Sequence, residues 1–222
     1  MSLIVKICGL KTPETLDVAL DAGADMVGFV FFPPSPRHVA SMDHARALGS
    51  RVNGRAAKVA LTVDADDALL AEIVAALSPD LLQLHGKETP ERVAEIGAKF
   101  SLPVMKALAI ETRADLAGVK PYTQVADCIL FDARAPKDAT RPGGLGTPFD
   151  WTLLEGLDIA VPYMLSGGLT PDNVGEALRI TRAQAVDVSS GVERAPGEKD
   201  AGKIRDFIRA ARAAATTMMS NV

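Results

Sequence analysis

Cysteine is scarce in this sequence: Cys8 and Cys128 are its only two, too few for a disulfide framework in 222 residues. Aromatic side chains make up 5% of the chain and the formal net charge is −4, so nucleic acid would find neither stacking platforms nor a basic field. No apolar run approaches the roughly 18 to 20 residues that span a bilayer, and the first residues do not resemble a signal peptide. Histidine is limited to His38, His44 and His85, no two of them at metal-ligand spacing near a strand end, which argues against a catalytic metal. These absences leave, as the expectation, a cytoplasmic protein whose partner is a small molecule, with no nucleic acid and no membrane involved.

What the chain does have is a regular alternation of apolar runs and capped helical patterns. With 48% hydrophobic and 23% charged residues it is able to bury a sizeable core. Residues 3–8 form a β-branched run ended by Gly9, and Thr12-Pro13 then pairs a cap-type residue with a proline at the first helical position. The same unit recurs: strands are predicted at 26–31, 58–63, 81–85, 104–110, 128–132, 163–165 and 185–188. Helices are predicted from Ser41 to about Val52, over 64–77, from Thr89 onward, more weakly over 112–119, briefly at 149–151, from Thr170, and over 200–214. Eight strand-helix pairs in 222 residues leave about 28 per unit, near the minimum for a βαβ crossover, with no room for a second domain. The predicted fold class is therefore α/β, a single-domain (β/α)8 TIM barrel over residues 1–214 with a frayed tail over 215–222. An open doubly wound sheet is the alternative, disfavoured because Cys8-Gly9-Leu10-Lys11 is not a dinucleotide fingerprint.

In such a barrel the reactive groups belong at the C-terminal ends of the strands. The polar residues that break apolar runs there are the candidates. Cys8 shares a strand face with Lys6, which together with an N–H-rich mouth favours a thiolate, although a lone cysteine is also a common buried hydrophobe. Asp132 leaves an apolar wall, where desolvation raises a carboxyl pKa and suits a general acid; a loop cap is the bland reading. Arg37 sits in the proline-stiffened segment 32–37, suited to a bidentate grip on a carboxylate, and His85 ends the fourth strand. Two glycine-serine turns, Ser166-Gly167-Gly168 and Ser189-Ser190-Gly191, end the last two strands, the second of them before a short helix-opening pattern is reached again at Asp200. Their backbone N–H groups and the helix predicted from Thr170 make an anion seat, sized for a phosphate. Residues 133–147, rich in proline, glycine and charge, form a long loop of functional type.

Read in order, these segments resemble the phosphoribosylanthranilate isomerase family of tryptophan biosynthesis over essentially the whole chain. The resemblance is carried by Val5-Lys6-Ile7-Cys8-Gly9-Leu10, Phe31-Phe32-Pro33-Pro34-Ser35-Pro36-Arg37, Leu82-Gln83-Leu84-His85-Gly86 and Leu130-Phe131-Asp132-Ala133. It continues through Gly143-Gly144-Leu145-Gly146, Leu165-Ser166-Gly167-Gly168-Leu169 and Asp187-Val188-Ser189-Ser190-Gly191-Val192-Glu193. It implies an isomerase that needs no cofactor and rearranges N-(5-phosphoribosyl)anthranilate, an aminoaldose, into 1-(2-carboxyphenylamino)-1-deoxyribulose 5-phosphate, an aminoketose. By the same match Asp132 is the general acid and Cys8 the general base. Arg37 holds the substrate carboxylate, while Gly167, Gly168, Ser189, Ser190 and Gly191 hold the phosphate; Lys6 and His85 are further substrate-binding candidates, His85 with a structural role as the other reading. Gly143, Gly144 and Gly146 belong to a lid over 141–148. Monomer and homodimer both fit the family. Another phosphate-binding barrel of the same biosynthetic neighbourhood, or a barrel that binds a phosphorylated metabolite without turnover, are the competing readings.

Overall fold

A computed structural model describes residues 3–135, 143, 144, 146 and 148–220, the side chains of 219 and 220 excepted. Eight parallel strands close into a barrel in chain order: β1 (Ile4–Cys8), β2 (Met26–Phe31), β3 (Ala57–Thr62), β4 (Leu81–Leu84), β5 (Val104–Ile110), β6 (Cys128–Ala133), β7 (Tyr163–Leu165) and β8 (Ala185–Val188). Closure is made by β8 on β1, with Val5 opposite Val186 and Lys6 opposite Asp187. A two-stranded antiparallel hairpin, β9 (Glu193–Ala195) and β10 (Glu198–Lys199), follows β8 outside the barrel.

Six α-helices cover the barrel among the described residues: α1 (Pro13–Asp21), α2 (Met42–Val52), α3 (Asp67–Leu77), α4 (Pro90–Phe100), α5 (Val174–Thr181) and α6 (Ala201–Ser220). Three of the first four open where the sequence predicts; α3, expected from Asp64, starts three residues later, since Asp64 takes φ of +50°. Thr12, Ser41, Asp66 and Thr89 each turn a side-chain oxygen onto the backbone N–H three residues on, and proline occupies the first turn of α1 and α4. The expectation of eight α-helices is corrected in two units. After β5 the Asp115 carboxylate takes the N–H groups of Glu111 and Thr112, and the coil tightens into a 3₁₀ helix that stops at Gly118, just before Pro121. After β6 the described turn is a 3₁₀ helix over Trp151–Leu154. The segment Thr170-Pro171-Asp172-Asn173 does lead into α5: Asn173 folds back on Thr170 N–H and Gly168 C=O, and the helix starts at Val174. The chain does not fray at 215. Ala215 is buried and Met218 packs on the core, which carries α6 through Ser220; residues 221 and 222 of the expected tail lie outside the described residues.

Strand alternation divides the interior. Val5, Ile7, Val27, Phe29, Leu82 and Leu84 point outward into the layer shared with the helices, where each fully buried side chain contributes on the order of 1.5–3 kcal/mol. Met105, Ala107, Leu130, Met164 and Ala185 point inward and plug the lower barrel, with Cys128 packed against them. Cys128 therefore takes its expected place, away from the mouth. Cys8, Val30 and Leu61 form the upper apolar layer. Gly28 makes that layer possible, since a Cβ there would stand 2.8 Å from the Cys8 sulfur.

The loops after β3 and β4 are tied by one buried carboxylate. Glu88 accepts the N–H groups of Asp64 (2.9 Å) and Gly86 (2.9 Å) and pairs with the Lys106 ammonium at 2.7 Å, all inside a shell that leaves both charged side chains nearly dry. Removing one partner strands the other. Glu88→Ala is expected to lower unfolding free energy by about 3–5 kcal/mol, whereas Glu88→Leu combined with Lys106→Met recovers most of that loss. Urea denaturation of the three proteins checks this, and equal stability of the single and double variants would contradict it.

Candidate active site

The strand ends and their loops enclose a cleft of about 830 Å³, counted out to its open mouth. Cys8, Arg37, His85, Asp132, Gly167, Gly168, Ser189 and Ser190 all line it, as do the described glycines Gly143, Gly144 and Gly146. Residues far apart in sequence thus meet as expected. Two do not. Lys6 is fully buried beneath the lining, and Gly191 lies behind it, pressed so closely on the Leu169 carbonyl that no Cβ would fit; it joins the two turns to each other rather than facing the cleft.

Cys8 ends β1 with only 3% of its surface exposed. Burial pushes its thiol above the ordinary cysteine value; Lys6 and Lys199 pull the other way and do not win, and Asp187 adds to the rise. The Lys6–Cys8 spacing therefore does not by itself make a thiolate. The reason is visible one layer down, where the Lys6 ammonium is bonded at 2.8 Å to Asp187, whose other oxygen accepts the Ser166 hydroxyl at 3.1 Å. Burial lowers the Lys6 pKa, but Asp187 and then Cys8 raise it further, so Lys6 stays a cation with its charge largely answered by a neighbour other than sulfur.

Asp132 comes from β6, three strands round the barrel from Cys8, and is 5% exposed. One oxygen accepts the Ala133 N–H at 2.8 Å, and the other stands 3.2 Å from His85 Nε2. The opposite nitrogen of His85 faces the Gln83 amide nitrogen at 3.2 Å. With that N–H donating to Nδ1, the imidazole carries its proton on Nε2, the nitrogen that faces the Asp132 carboxylate. Gln83, buried two residues earlier on the same strand face, is a contributor that sequence reading did not single out.

Arg37, 4% exposed, is held edge-on: Nε and Nη2 each donate to Glu193 at 2.7 Å, and Nη2 also reaches the Gly144 carbonyl at 3.1 Å. Lys199 completes the group with a 2.9 Å bond to Glu193 and bonds to Ser189 O (2.8 Å) and Oγ (3.2 Å). Burial lowers the Lys199 pKa to about 8 against the pull of Glu193. Burial alone would raise Glu193, but Arg37 and Lys199 hold it below the ordinary glutamate value. Neither Glu193 nor Lys199 was among the candidates. The available signal was Pro196-Gly197, a turn dipeptide that marks the hairpin carrying both.

Elsewhere in the lining Gly167 and Gly168 take φ of +83° and +65°, and a three-residue 3₁₀ turn opens at Ser190. Successive N–H groups in such conformations form a concavity suited to an anion. Gly143 approaches Asp132 and His85 too closely to admit a side chain. Arg141, Pro142, Leu145 and Thr147 of the expected lid lie outside the described residues. Among the described residues, no group of three or more His, Cys, Asp or Glu is placed to hold a metal ion, and no helix is long and apolar enough to cross a membrane.

This arrangement can be set beside known proteins. The family model for N-(5'phosphoribosyl)anthranilate (PRA) isomerase matches residues 5–210. The chain is 68% identical to the N-(5'-phosphoribosyl)anthranilate isomerase of Nitrobacter winogradskyi over 218 residues, 98% of this chain and 96% of that protein. Among solved structures, phosphoribosyl anthranilate isomerase from Thermotoga maritima superimposes with a TM-score of 0.86 at 34% identity, covering 95% of this chain and 99% of that one. Another phosphoribosyl anthranilate isomerase structure, solved in complex with reduced 1-(o-carboxyphenylamino)-1-deoxyribulose 5-phosphate, aligns at a TM-score of 0.81 and 32% identity over 95% of this chain and 99% of that one. With a family model over most of its length and a barrel that superimposes on solved members, the chain belongs to the N-(5'-phosphoribosyl)anthranilate isomerase family.

Proposed function

We propose that the protein catalyses the Amadori rearrangement of N-(5-phosphoribosyl)anthranilate to 1-(2-carboxyphenylamino)-1-deoxyribulose 5-phosphate, a step of tryptophan biosynthesis. The observation that carries the reading in this chain is that Cys8 and Asp132 open onto one cleft whose lining suits two anionic groups. It holds a guanidinium and an N–H-rich pair of turns. The substrate has the matching pair, an aromatic carboxylate and a sugar phosphate.

The chemistry follows from the placement. Asp132 gives a proton to the ribose ring oxygen as the bond from that oxygen to C1 breaks, and the anilino nitrogen lone pair forms the C1=N bond. Cys8, as thiolate, then takes the proton from C2, and the electron pair moves through C1 to quench the iminium. The resulting enol takes a proton at C1 and releases its hydroxyl proton to give the ketone, and exchange with solvent passes the proton gained by Cys8 back to Asp132, which resets the pair. C1 is reduced and C2 oxidised within one molecule, so the reaction balances without an external electron carrier. His85 orients the Asp132 carboxyl, Arg37 takes the substrate carboxylate, and the turns at Gly167-Gly168 and Ser189-Ser190 take the phosphate. Lys6 supports Cys8 from below and does not touch substrate.

Two measurements test these roles. Cys8→Ala and Asp132→Ala are each expected to lower kcat by about 10²–10⁴-fold, the usual weight of a general acid or base, read as the loss of anthranilate-type fluorescence decay. Both variants should still bind a phosphate-bearing product analogue, and near-wild-type turnover in either would sink the mechanism. Ser190→Glu, which puts a negative charge into the phosphate seat, should instead raise KM by about tenfold or more with kcat largely kept; an unchanged KM would move the phosphate elsewhere.

A further inference from the structure

The hairpin of β9 and β10 is not needed to close the barrel, yet it is built onto the loop that carries Arg37. Gly197, at φ +80°, lies against the Pro36 carbonyl so closely that any side chain would collide, and Lys11 donates to the same carbonyl at 2.8 Å. Gly197 N–H in turn donates to Glu193 at 3.2 Å, which pins that carboxylate, and Lys203 holds the Glu193 main-chain carbonyl at 2.8 Å. Two hairpin side chains face inward with almost no exposure, Glu193 and Lys199.

Their effect on Arg37 is geometric first. By occupying Nε and Nη2, Glu193 fixes the guanidinium plane; among the described residues Nη1 has no hydrogen-bond partner, and it lies where a Cβ on Gly144 would stand. It is electrostatic second. A carboxylate at 2.7 Å would by itself cancel the arginine's charge for any incoming anion, and the Lys199 ammonium at 2.9 Å from the same carboxylate restores one net positive charge to the three groups. Lys199 also grips Ser189, which lines the cleft on the phosphate side and donates its hydroxyl to the Cys8 carbonyl at 3.1 Å. One ammonium thus ties the group that holds the guanidinium to the Ser189 turn.

We propose that Glu193 and Lys199 are positioning residues that set the cleft's preference for a ligand bearing a carboxylate opposite its phosphate, Glu193 by aiming Arg37 and Lys199 by keeping the group net positive. The inference rests on the substrate reading above, and binding of stable ligands tests it separately from turnover. The probes are two 1-amino-1-deoxypentitol 5-phosphates, one N-(2-carboxyphenyl) and one N-phenyl, titrated calorimetrically into the wild type, Lys199→Met, Lys199→Arg and Glu193→Gln. In the wild type the carboxylated ligand should bind at least about tenfold tighter, the weight of one charge-assisted contact. Lys199→Met should erase most of that ratio while changing N-phenyl affinity by less than about threefold, and Lys199→Arg should keep a substantial part of it. Equal weakening of both ligands in Lys199→Met, or an unchanged ratio, would overturn the proposal, as would a wild type that binds the two alike. Should Lys199→Met fail to fold by circular dichroism, Glu193→Gln decides: a reduced ratio supports the inference and an intact one ends it. A wild type that shows the preference but no turnover would remove the isomerase reading and leave this one standing.

Discussion

The ion pair between Lys6 and Asp187 is the constraint on which the rest of the molecule hangs. It joins the first strand to the last across 181 residues of sequence, at a position where the two strands are in direct register. Burying both charges costs several kcal/mol per ion before their attraction is counted, and the 2.8 Å contact together with the Ser166 hydroxyl offsets that cost in one register only. A one-residue slip of β1 on β8 would turn Lys6 into the apolar layer under the helices and leave Asp187 alone inside the barrel. The same register puts Cys8, two residues on, at the mouth and on the inner face. Closure of the barrel and delivery of the thiol are therefore one event.

That arrangement also explains the state of the thiol. An ammonium directly under a cysteine looks, from spacing alone, like a device for making thiolate. Here the ammonium has a nearer partner, and Asp187 itself acts on the sulfur in the opposite sense. The result is a buried thiol whose charged form burial and Asp187 oppose and the Lys6 and Lys199 ammonium groups favour.

How much of this could be read from the residues follows from the range over which each feature is decided. β5, β7 and β8 fall at their expected bounds because their apolar runs are cut by proline, glycine or serine within the chain itself. Thr12-Pro13 and Thr89-Pro90 fix two helix starts for the same reason. The turn after β5 was misjudged because an α-helix and a 3₁₀ turn share the same capping signal, and length decided between them. The end of α6 was misjudged because packing of Ala215 and Met218, a tertiary matter, holds a segment with no pattern of its own. Cys8, Asp132 and Arg37 were legible as polar breaks at strand ends. Their partners were not, since Arg37 and Glu193 are 156 residues apart and nothing local in either segment names the other.

The cleft must recognise two anionic groups inside a chain whose net charge is −4. Long-range attraction from the whole molecule cannot supply this, because beyond a Debye length of about 8–10 Å such fields are screened in any case. Recognition has to be local, and on the reading proposed above it draws on two kinds of physics. The turns offer backbone dipoles, which add no formal charge and need only glycine's freedom to take positive φ at Gly167 and Gly168. Arg37 offers a guanidinium, which in so dry a site, 4% exposed, would be costly alone and inert if merely neutralised. Two cations sharing one carboxylate resolve both difficulties: every charge has a partner, and the group as a whole still attracts an anion.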